Sequence, residues 1–481
     1  MRALQDVDRW APWIDGGAEP SSHRSVDSRR APYDDRPLGE VEQSDEADLT
    51  RALGAAERAW RENRRVPAHE RAGWLRSAAI ALDHNASTLV DTVVDLIGKP
   101  VAAARFEVSR GPHLLRLAAE ELARFHGENL SLDGVPGGEA RWGVTRREPI
   151  GVVAAITPFN APVNLFLQKV APALAVGDAV IAKPAPEAAP VALQLAEILS
   201  SSVPAGLVNV LPGGPEVALR LAADPRVGAV SLTGGVGAGT AVTTAAGPKP
   251  VLLELGSNAA TIVCADADLD DAATRIAAAA FAASGQQCIS SQRVIVERSS
   301  FVPFLARFTQ AASELVIGDP RQPSTDIGPL VHAGRRSAIE AMIDDALSRG
   351  AMLALDGRAS GLCFGPTIVV DVPQAARLWR DEVFGPVAVV VPADGIDHAV
   401  ELANDSPFGL QSACFTRDLD TALTVAEDLR CGSVWINEST RFRLDTYPFG
   451  GYGLSGVGRE GVRYAMEALS HLKFVGIRRT R

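Results

Sequence analysis

Residues 151–158 read GVVAAITP, a run of small and β-branched apolar residues that ends at a proline. Four similar runs follow along the chain: AVIAKP (179–184), VNVLPG (208–213), AVSLTG (229–234) and PVLLELG (250–256). Amphipathic stretches separate them. Continuous Val, Ile and Ala runs that end in Gly or Pro are typical of strands buried on both faces of a parallel sheet. The pattern predicts an α/β nucleotide-binding architecture with ligands at the carboxyl ends of the strands.

The segments on either side of this region predict further elements. Residues 45–64 (DEADLTRALGAAERAWRENR) have helical periodicity and an acidic start, and we expect helix as far as about Phe125. The first forty residues are polar, and we expect them to be irregular. NLSLDG (129–134) and ARWGVTRREP (140–149) flank a Gly- and Pro-containing turn, which predicts a β-hairpin suited to a subunit contact. Helix 270–285 and strands QRVIVE, TIVVDV, VAVVV and SVWIN predict a second α/β region.

Composition excludes several classes of partner. The chain has 481 residues, is 47% hydrophobic and carries a formal net charge of -11 without a basic stripe, so nucleic acid is not an expected partner. Its first residues, MRALQDVDRWAPWIDGG, cannot form the apolar region of a secretory signal. No stretch approaches the roughly 20 apolar residues that span a bilayer. We therefore expect a cytoplasmic protein without membrane contact.

The cysteines point to one reactive residue. They are Cys264, Cys288, Cys363, Cys414 and Cys431. Their number is odd and their spacing fits neither a disulfide framework nor a metal site. Cys288 stands apart because it follows Gly and two Gln in AASGQQCISSQRVIVE (282–297), between a small-residue helix and a strand. A cysteine on such a turn can reach a cleft.

Six segments together carry a resemblance to a known family. They are GQQC (285–288), LLELGSNAA (252–260), TPFNAPVN (157–164), AKPAPEAAP (182–190), DEVFGP (381–386) and PFGGYGLSGVGREG (448–461). These segments resemble the signature segments of the aldehyde dehydrogenase superfamily, and the likeness covers nearly the whole chain. It implies NAD(P)-dependent oxidation of an aldehyde to a carboxylic acid.

The resemblance assigns the chemical roles. Cys288 attacks the aldehyde carbon, and the Asn160 amide with the backbone N–H of Cys288 stabilises the negative oxygen that forms. A hydride leaves for NAD or NADP, and Glu254 activates the water that hydrolyses the thioester. Without such a role, Glu254 would be a costly buried carboxylate. Lys169 matches a family lysine of a proton relay, and a surface lysine with a buried stem is the alternative.

The cofactor site also follows from the resemblance. The residues placed around the cofactor are Ile156, Thr157, Pro158, Phe159, Lys183, Pro186, Gly234, Gly235, Leu255, Glu382 and Phe384. Lys183 matches a lysine that binds the adenosine ribose, and Glu382 an acid that binds the nicotinamide ribose. The glycines of LTGGVGAG (232–239) let a backbone approach a pyrophosphate at a helix start. Pro186 stands where NAD-preferring members often carry Glu, so NAD and NADP both remain open.

Candidates for the substrate site form a third group. The i, i+4, i+8 spacing places Asn160, Asn164 and Gln168 on one helix face, which by resemblance borders the substrate tunnel and suits a polar aldehyde. WINESTRFRLDTYPFGG (435–451) resembles the branch with lactaldehyde, phosphonoacetaldehyde and non-phosphorylating glyceraldehyde-3-phosphate dehydrogenases. Arg441 and Arg443 are candidates to clamp an anionic tail. The alternative is that they are surface or subunit-interface arginines, and Arg110 is a weaker candidate.

The predicted organisation has three parts. A nucleotide-binding domain comprises residues 1–125 and 149–252, a catalytic domain comprises 253–445, and an oligomerisation sheet comprises 126–148 and 446–481. The resemblance implies a homodimer or homotetramer. Two alternatives to hydrolytic oxidation stay open: a coenzyme A-acylating semialdehyde dehydrogenase, which usually lacks the acid at Glu254, and a catalytically silent binding or structural protein of the same fold.

Overall fold

The computed structural model describes residues 8–358 and 363–480. The helices are α1 (Glu46–Asn63), α2 (Ala68–His84), α3 (Ala86–Ile97), α4 (Val101–Glu121), α5 (Pro162–Val176), α6 (Ala189–Ser200), α7 (Pro215–Ala223), α8 (Val236–Ala246), α9 (Leu269–Phe281), α10 (Arg298–Ser313), α11 (Ala333–Ser348), α12 (Arg377–Arg380), α13 (Ile396–Asn404), α14 (Leu419–Asp428) and α15 (Val462–Ala468). Short 3₁₀ turns follow at Pro186–Ala188 and Ala282–Gly285.

The strands are β1 (Asp8–Trp10), β2 (Trp13–Ile14), β3 (Gly17–Ala18), β4 (Val26–Arg30), β5 (Pro37–Glu42), β6 (Asn129–Ser131), β7 (Arg141–Pro149), β8 (Val152–Thr157), β9 (Ala179–Pro184), β10 (Val208–Val210), β11 (Val227–Thr233), β12 (Val251–Glu254), β13 (Ala260–Val263), β14 (Arg293–Glu297), β15 (Met352–Leu355), β16 (Thr367–Val370), β17 (Val387–Ala393), β18 (Phe408–Gly409), β19 (Gln411–Phe415), β20 (Ser433–Ile436), β21 (Tyr452–Gly453), β22 (Gly456–Val457) and β23 (Ser470–Arg478).

The five apolar runs form the centre of an eight-stranded sheet. Its order is β22-β12-β11-β8-β9-β10-β2-β3, and β12, β11, β8, β9 and β10 are parallel neighbours. Every residue of β8 and β9 is buried, because helices cover both faces of the sheet. The predicted α/β nucleotide-binding architecture is confirmed, and the carboxyl ends of four site-bearing strands lie side by side.

The expectation of an irregular N-terminus was wrong. Residues 8–42 contain β1 to β5, of which β2 and β3 extend the eight-stranded sheet while β1, β4 and β5 form a sheet of their own. The strand β4 reads VDSRR and alternates between exposed and half-buried residues. A strand with one face open to water needs no apolar run, which is why composition did not reveal it.

A second, seven-stranded sheet forms the other large unit, with the order β15-β16-β17-β14-β13-β19-β20. It contains all four strands predicted after residue 290. The strands β16, β17, β14, β13, β19 and β20 are parallel to one another, and β15 pairs antiparallel with β16. The predicted helix over 270–285 is α9 followed by the second 3₁₀ turn. This turn points from the second sheet toward the carboxyl edge of the first.

A three-stranded sheet, β23-β7-β6, contains the predicted hairpin and the C-terminal strand. All nine residues of β23 pair with β7, from Ser470 with Pro149 to Arg478 with Arg141. The segment between residues 446 and 469 lies elsewhere, since β22 joins the eight-stranded sheet beside β12. The three-part domain division remains a prediction.

Helices α1 to α4 cover residues 46–121, close to the predicted extent of that helical region. In the part of the chain that the structure describes, no helix combines the length and the apolar character needed to cross a membrane.

Candidate active site

A strained turn presents Cys288. Between α9 and β14 the chain passes through Ala283 (φ 52°) and Ser284 (φ 57°), both in the left-handed region that non-glycine residues avoid. The Ser284 hydroxyl donates to the carbonyl of Gly328 at 2.8 Å and so holds the turn. At Gly285 (φ 65°) a Cβ would collide with the neighbouring backbone. These constraints direct Cys288 into a cavity.

The cavity beside Cys288 has a volume of about 120 Å³ and brings together residues far apart in the sequence. Its walls include Asn160, Asn164, Gln168, Cys288, Arg110, Arg441 and Arg443. One detail of the prediction was wrong, because α5 begins at Pro162 and Asn160 lies in the turn before it. Pro at the first helical position fixes that start. The Asn160 amide still points toward the thiol loop, where its Nδ2 donates to the Gln286 carbonyl at 2.9 Å.

Glu254 ends β12 and is 1% exposed. Neither of its carboxyl oxygens has a hydrogen-bond partner among the described residues. A Cβ on Gly450 would lie 3.0 Å from its Oε1, so the carboxyl group packs against that backbone. Burial, and then the nearby charge of Glu460, raises the pKa of Glu254 well above its usual value. Both effects favour the protonated form of this carboxyl group.

A buried ion cluster lies beside Glu254. Lys169 is fully buried, and its Nζ donates to Glu460 Oε1 at 2.8 Å and to the Ser231 hydroxyl at 3.2 Å. Arg443 Nη2 donates to Glu460 Oε2, also at 2.8 Å. Although burial opposes them, these two cations lower the pKa of Glu460 to about 2. The surface alternative for Lys169 was wrong because this carboxylate compensates its charge in the interior.

Sequence reasoning did not select Glu460, although it lies in the quoted segment GVGREG. That segment carries part of the family resemblance as a whole, and no single residue within it was assigned a role. An acid within such a motif, like Glu254 in LLELG, is the signal that was available.

The thiol of Cys288 is held in its protonated form. Burial, followed by the acids Glu382, Glu254 and Glu460, raises its pKa to about 12, and Arg443 acts in the opposite direction. Since the thiolate is the nucleophile, its formation needs a positive charge or a base nearby.

The three candidate arginines differ in their partners. Arg443 is committed to Glu460, and Arg110 Nη2 donates to Asp445 at 2.7 Å. Arg441 donates from Nε to the Gln287 amide oxygen at 3.2 Å, and no acidic side chain among the described residues pairs with it. All three line the cavity, so the alternative that Arg441 and Arg443 are only surface or interface residues was wrong. Of the three arginines, only Arg441 has a positive charge that no carboxylate of the described residues neutralises, so it is the one available to an anionic ligand.

A buried acid that the sequence did not indicate anchors the cavity wall. Glu107 of α4 accepts through Oε1 from the backbone N–H groups of Val163 (2.8 Å) and Asn164 (3.3 Å), at the start of α5. Lys99 forms an ion pair with the same carboxylate. A negative charge at a helix N-terminus is favourable, so Glu107 fixes the helix that carries Asn164, Gln168 and Lys169.

The cavity opens into an outer chamber of about 940 Å³. Ala103, Phe106, Arg110, Arg441 and Arg443 line both spaces. Arg441 therefore stands at the passage between the surface and Cys288.

The predicted cofactor residues gather at the carboxyl edge of the eight-stranded sheet. Ile156 and Thr157 end β8, and Pro158 and Phe159 follow them. Lys183 lies in β9, and Pro186 comes just after that strand. Gly234 and Gly235 join β11 to α8, and Leu255 follows β12. Lys183 is 6% exposed, and burial lowers its pKa although Glu187 and Glu216 oppose this. A Cβ on Gly235 would meet nothing within 4 Å. The open backbone at the start of α8 fits a pyrophosphate.

Glu382 and Phe384 come from the second α/β unit and face the same edge. The backbone N–H of Ser257 donates to Glu382 Oε1 at 3.0 Å, and a Cβ on Gly256 would collide with this carboxylate. Burial raises the pKa of Glu382 to about 7. The rings of Phe384 and Phe159 meet edge to face at 6.0 Å. These residues fit a ribose and a nicotinamide between the two units.

This fold, together with this arrangement of residues around a cysteine, defines a class of protein: the NAD(P)-dependent oxidoreductases that act on aldehydes. A model of the aldehyde dehydrogenase family matches residues 19–475, and the chain belongs to that family. The predicted resemblance is thereby confirmed, as are the fold class, the oxidation of an aldehyde and the use of NAD or NADP.

Three relatives illustrate the range of the family around this chain. An aspartate-semialdehyde dehydrogenase of Pseudomonas canavaninivorans is 38% identical over 92% of this chain and 95% of its own. A 3-sulfolactaldehyde dehydrogenase of Priestia aryabhattai is 34% identical over 99% of both chains. The crystal structure of the NADP-dependent glyceraldehyde-3-phosphate dehydrogenase of Bacillus halodurans, complexed with NADP, has a TM-score of 0.95 and 32% identity, with 98% of this chain and 99% of that chain covered.

Proposed function

We propose that Cys288 is the nucleophile of this aldehyde dehydrogenase. The observation that carries the proposal is that Cys288 and Asn160 line one cavity, with Glu254 at the end of β12 near enough for its charge to raise the pKa of the Cys288 thiol. Cys288 sulfur bonds to the aldehyde carbon, and the carbonyl oxygen takes the negative charge. The Asn160 amide and the backbone N–H of Cys288 donate to that oxygen.

The cofactor-binding residues of the prediction hold the dinucleotide between the two α/β units. When bound, NAD or NADP accepts a hydride from the carbon attached to sulfur. Glu382 binds hydroxyl groups of one ribose and Lys183 those of the other. Phe159 from the first unit and Phe384 from the second meet edge to face and shield this site from water.

Glu254 acts as the general base that removes a proton from water during thioester hydrolysis. Its oxygens form no hydrogen bond with any of the described residues, so they are available to a water molecule. Lys169, whose charge lowers the pKa of Glu254, is the candidate residue for relaying this proton, which finally leaves to solvent water.

We further propose that the substrate is a small anionic aldehyde that also bears a hydroxyl or amino group. Arg441 supplies the unpaired cation for a carboxylate, sulfonate or phosphate. Asn164 Oδ1 and Gln168 Oε1 are buried acceptors without a partner among the described residues, and a substrate O–H or N–H would satisfy them. Aspartate semialdehyde, 3-sulfolactaldehyde and glyceraldehyde 3-phosphate, the compounds in the names of the three relatives, combine both features.

The test is the absorbance of reduced nicotinamide with NAD or NADP, without coenzyme A, on a graded set of aldehydes. Aspartate semialdehyde has an anion and an amino group, succinic semialdehyde only the anion, and butanal neither. We expect kcat/KM to fall along this series by about tenfold or more at each step. Equal rates for all three would contradict the substrate assignment, and a requirement for coenzyme A would favour the acylating alternative. Cofactor binding without turnover of any aldehyde would favour a catalytically silent protein.

We propose that the enzyme is a cytoplasmic homodimer or homotetramer. The support is β23, which exposes Leu472 (58%) and Phe474 (52%) on one face of the three-stranded sheet. A second copy that covers this face would remove these side chains from water. Light scattering after size exclusion tests the assembly, and Phe474→Glu should yield monomers.

A further inference from the structure

The charge of Arg443 is used inside the protein. Its side chain is 11% exposed, and its carboxylate partner Glu460 is fully buried. The guanidinium carbon lies 3.7 Å from the centre of the Phe449 ring, within the range of a cation–π interaction. A guanidinium with a ring on one side and a carboxylate at 2.8 Å has little freedom to turn toward a substrate.

Phe449 connects this cation to the reacting groups. Its N–H donates to the Glu460 carbonyl at 2.9 Å, and the Glu460 N–H donates back at 2.6 Å. Cys288 packs against the small apolar cluster to which Phe449 belongs. The next residue, Gly450, forms the wall against which the Glu254 carboxyl lies. The position of Arg443 is therefore fixed relative to both Cys288 and Glu254.

The cluster of Lys169, Arg443 and Glu460 contains two cations and one carboxylate, and so carries one positive charge in excess. Lys169 and Arg443 share a single carboxylate, Glu460. Two further pairs near the cavity balance internally, namely Lys99 with Glu107 and Arg110 with Asp445. The other charged or titratable groups that face the site are Glu254, Glu382, Arg441 and Arg459. Arg459 donates to backbone carbonyls of the segment 451–458, and Arg441 stands at the outer passage.

The excess positive charge favours the deprotonated forms of two nearby groups, the Cys288 thiol and the Glu254 carboxyl. Arg443 lowers the pKa of the Cys288 thiol against the effects of burial and of three acids. It also lowers the pKa of Glu254, together with Lys169 and Arg459. Both groups must lose a proton during turnover, and a fixed cation in a site that excludes water stabilises the charged form of each.

We propose that Arg443 is a positioning residue for the nucleophile, in which the Glu460 carboxylate and the Phe449 ring hold one excess positive charge beside Cys288 so that the thiolate can form. Arg443 does not bind the substrate. The proposal rests on the role of Cys288 proposed above, and it separates the functions of two arginines that stand two positions apart in the chain.

The test measures the alkylation of Cys288 by iodoacetamide, a neutral reagent that reacts with the thiolate and releases iodide. The full-length protein is treated at pH 8.5 without cofactor or aldehyde, and the Cys288 peptide is quantified by mass spectrometry. Arg443→Met should slow the alkylation at least about tenfold, and Arg443→Lys should recover most of the rate. Glu460→Gln removes the counter-charge and should accelerate the alkylation severalfold.

Arg441→Met is the matched control because it removes the same charge two residues earlier. It should raise KM for anionic aldehydes while it changes the alkylation rate by less than about twofold. An unchanged alkylation rate in Arg443→Met would overturn the proposal, as would an equal loss in Arg443→Met and Arg441→Met. If Arg443→Met does not fold, as judged by circular dichroism, Glu460→Gln decides the matter: faster alkylation supports the proposal, and an unchanged or slower rate overturns it.

The outcome is independent of turnover. If Cys288→Ala keeps its dehydrogenase activity, the proposed function fails, whatever the alkylation rates are. If Cys288→Ala is inactive while Arg443→Met and the wild-type protein are alkylated at the same rate, only the positioning role fails.

Discussion

The two sides of Cys288 are built in different ways. The cofactor side consists of strand ends, the open start of α8 and the side chains of Lys183 and Glu382, all in short contiguous segments. The substrate side consists of side chains that pair across the chain, such as Arg110 with Asp445 and Lys169 with Glu460. Backbone geometry fixes the first side, and charge compensation in a buried environment fixes the second. We therefore expect substitutions on the substrate side to reduce turnover while they leave cofactor binding nearly unchanged.

The replacement Cys288→Ala separates the two sides most sharply. Loss of the nucleophile should reduce turnover by at least about 10⁴-fold, since no other group can form the thioester. Cofactor binding should change by less than about threefold, as measured by the fluorescence of bound reduced nicotinamide. A loss of cofactor affinity as large as the loss of rate would mean that the two sides form one cooperative unit.

Glu254→Gln acts on one step only. The neutral amide cannot take the proton of water, so steady-state turnover should fall by about 10²–10⁴-fold. One equivalent of reduced cofactor per site should still appear in a rapid burst, because thioester formation precedes hydrolysis. Stopped-flow absorbance measures this burst. Its absence, with Cys288 still alkylated by iodoacetamide, would place Glu254 before the thioester.

Arg441→Met should affect the binding of the substrate anion. A hydrogen bond to a charged group contributes about 1.5–3 kcal/mol, so kcat/KM for an anionic aldehyde should fall roughly 10–150-fold. A neutral aldehyde of the same length provides the control and should react at nearly the wild-type rate. Equal losses with both aldehydes would show that Arg441 shapes the passage rather than recognising charge.

The smallest effect concerns the cofactor side and appears in stability. The pKa of Glu382 is raised from 4.5 to about 7, so the folded protein binds a proton there that the unfolded chain has lost. Its contribution to stability is therefore lost as the pH rises from about 4.5 to about 7. Glu382→Gln removes this contribution. The free energy of unfolding at pH 5, taken relative to that at pH 8, should therefore be lower in the variant than in the wild type by about 1–3 kcal/mol, with a matching change in the melting temperatures. Calorimetry of both proteins tests this, and an unchanged difference would contradict the raised pKa.

The sequence predicted the sheet and the hairpin, because each lies in runs whose local pattern is informative, and the family resemblance of six segments singled out Cys288, Asn160 and Glu254. It did not predict how Arg441 and Arg443 differ, since both are arginines in the same loop. Their difference depends on Glu460, which arrives from 17 residues further along the chain. Glu107 lies in a helix of mixed polarity, and nothing local indicates that it caps another helix. Pairings between distant side chains become visible only in three dimensions.

We expect the turn that delivers Cys288 to be the first part of the enzyme to lose its active conformation on warming. Ala283 and Ser284 each hold a left-handed conformation that costs about 1–2 kcal/mol, and that free energy is released when the turn relaxes. The two large sheets do not depend on this stretch. We expect activity to disappear at a temperature at which circular dichroism still reports an intact fold. Loss of activity in a stored preparation would thus begin with the relaxation of these few residues. Cooling would restore activity until the sulfur of Cys288, exposed by that relaxation, is oxidised.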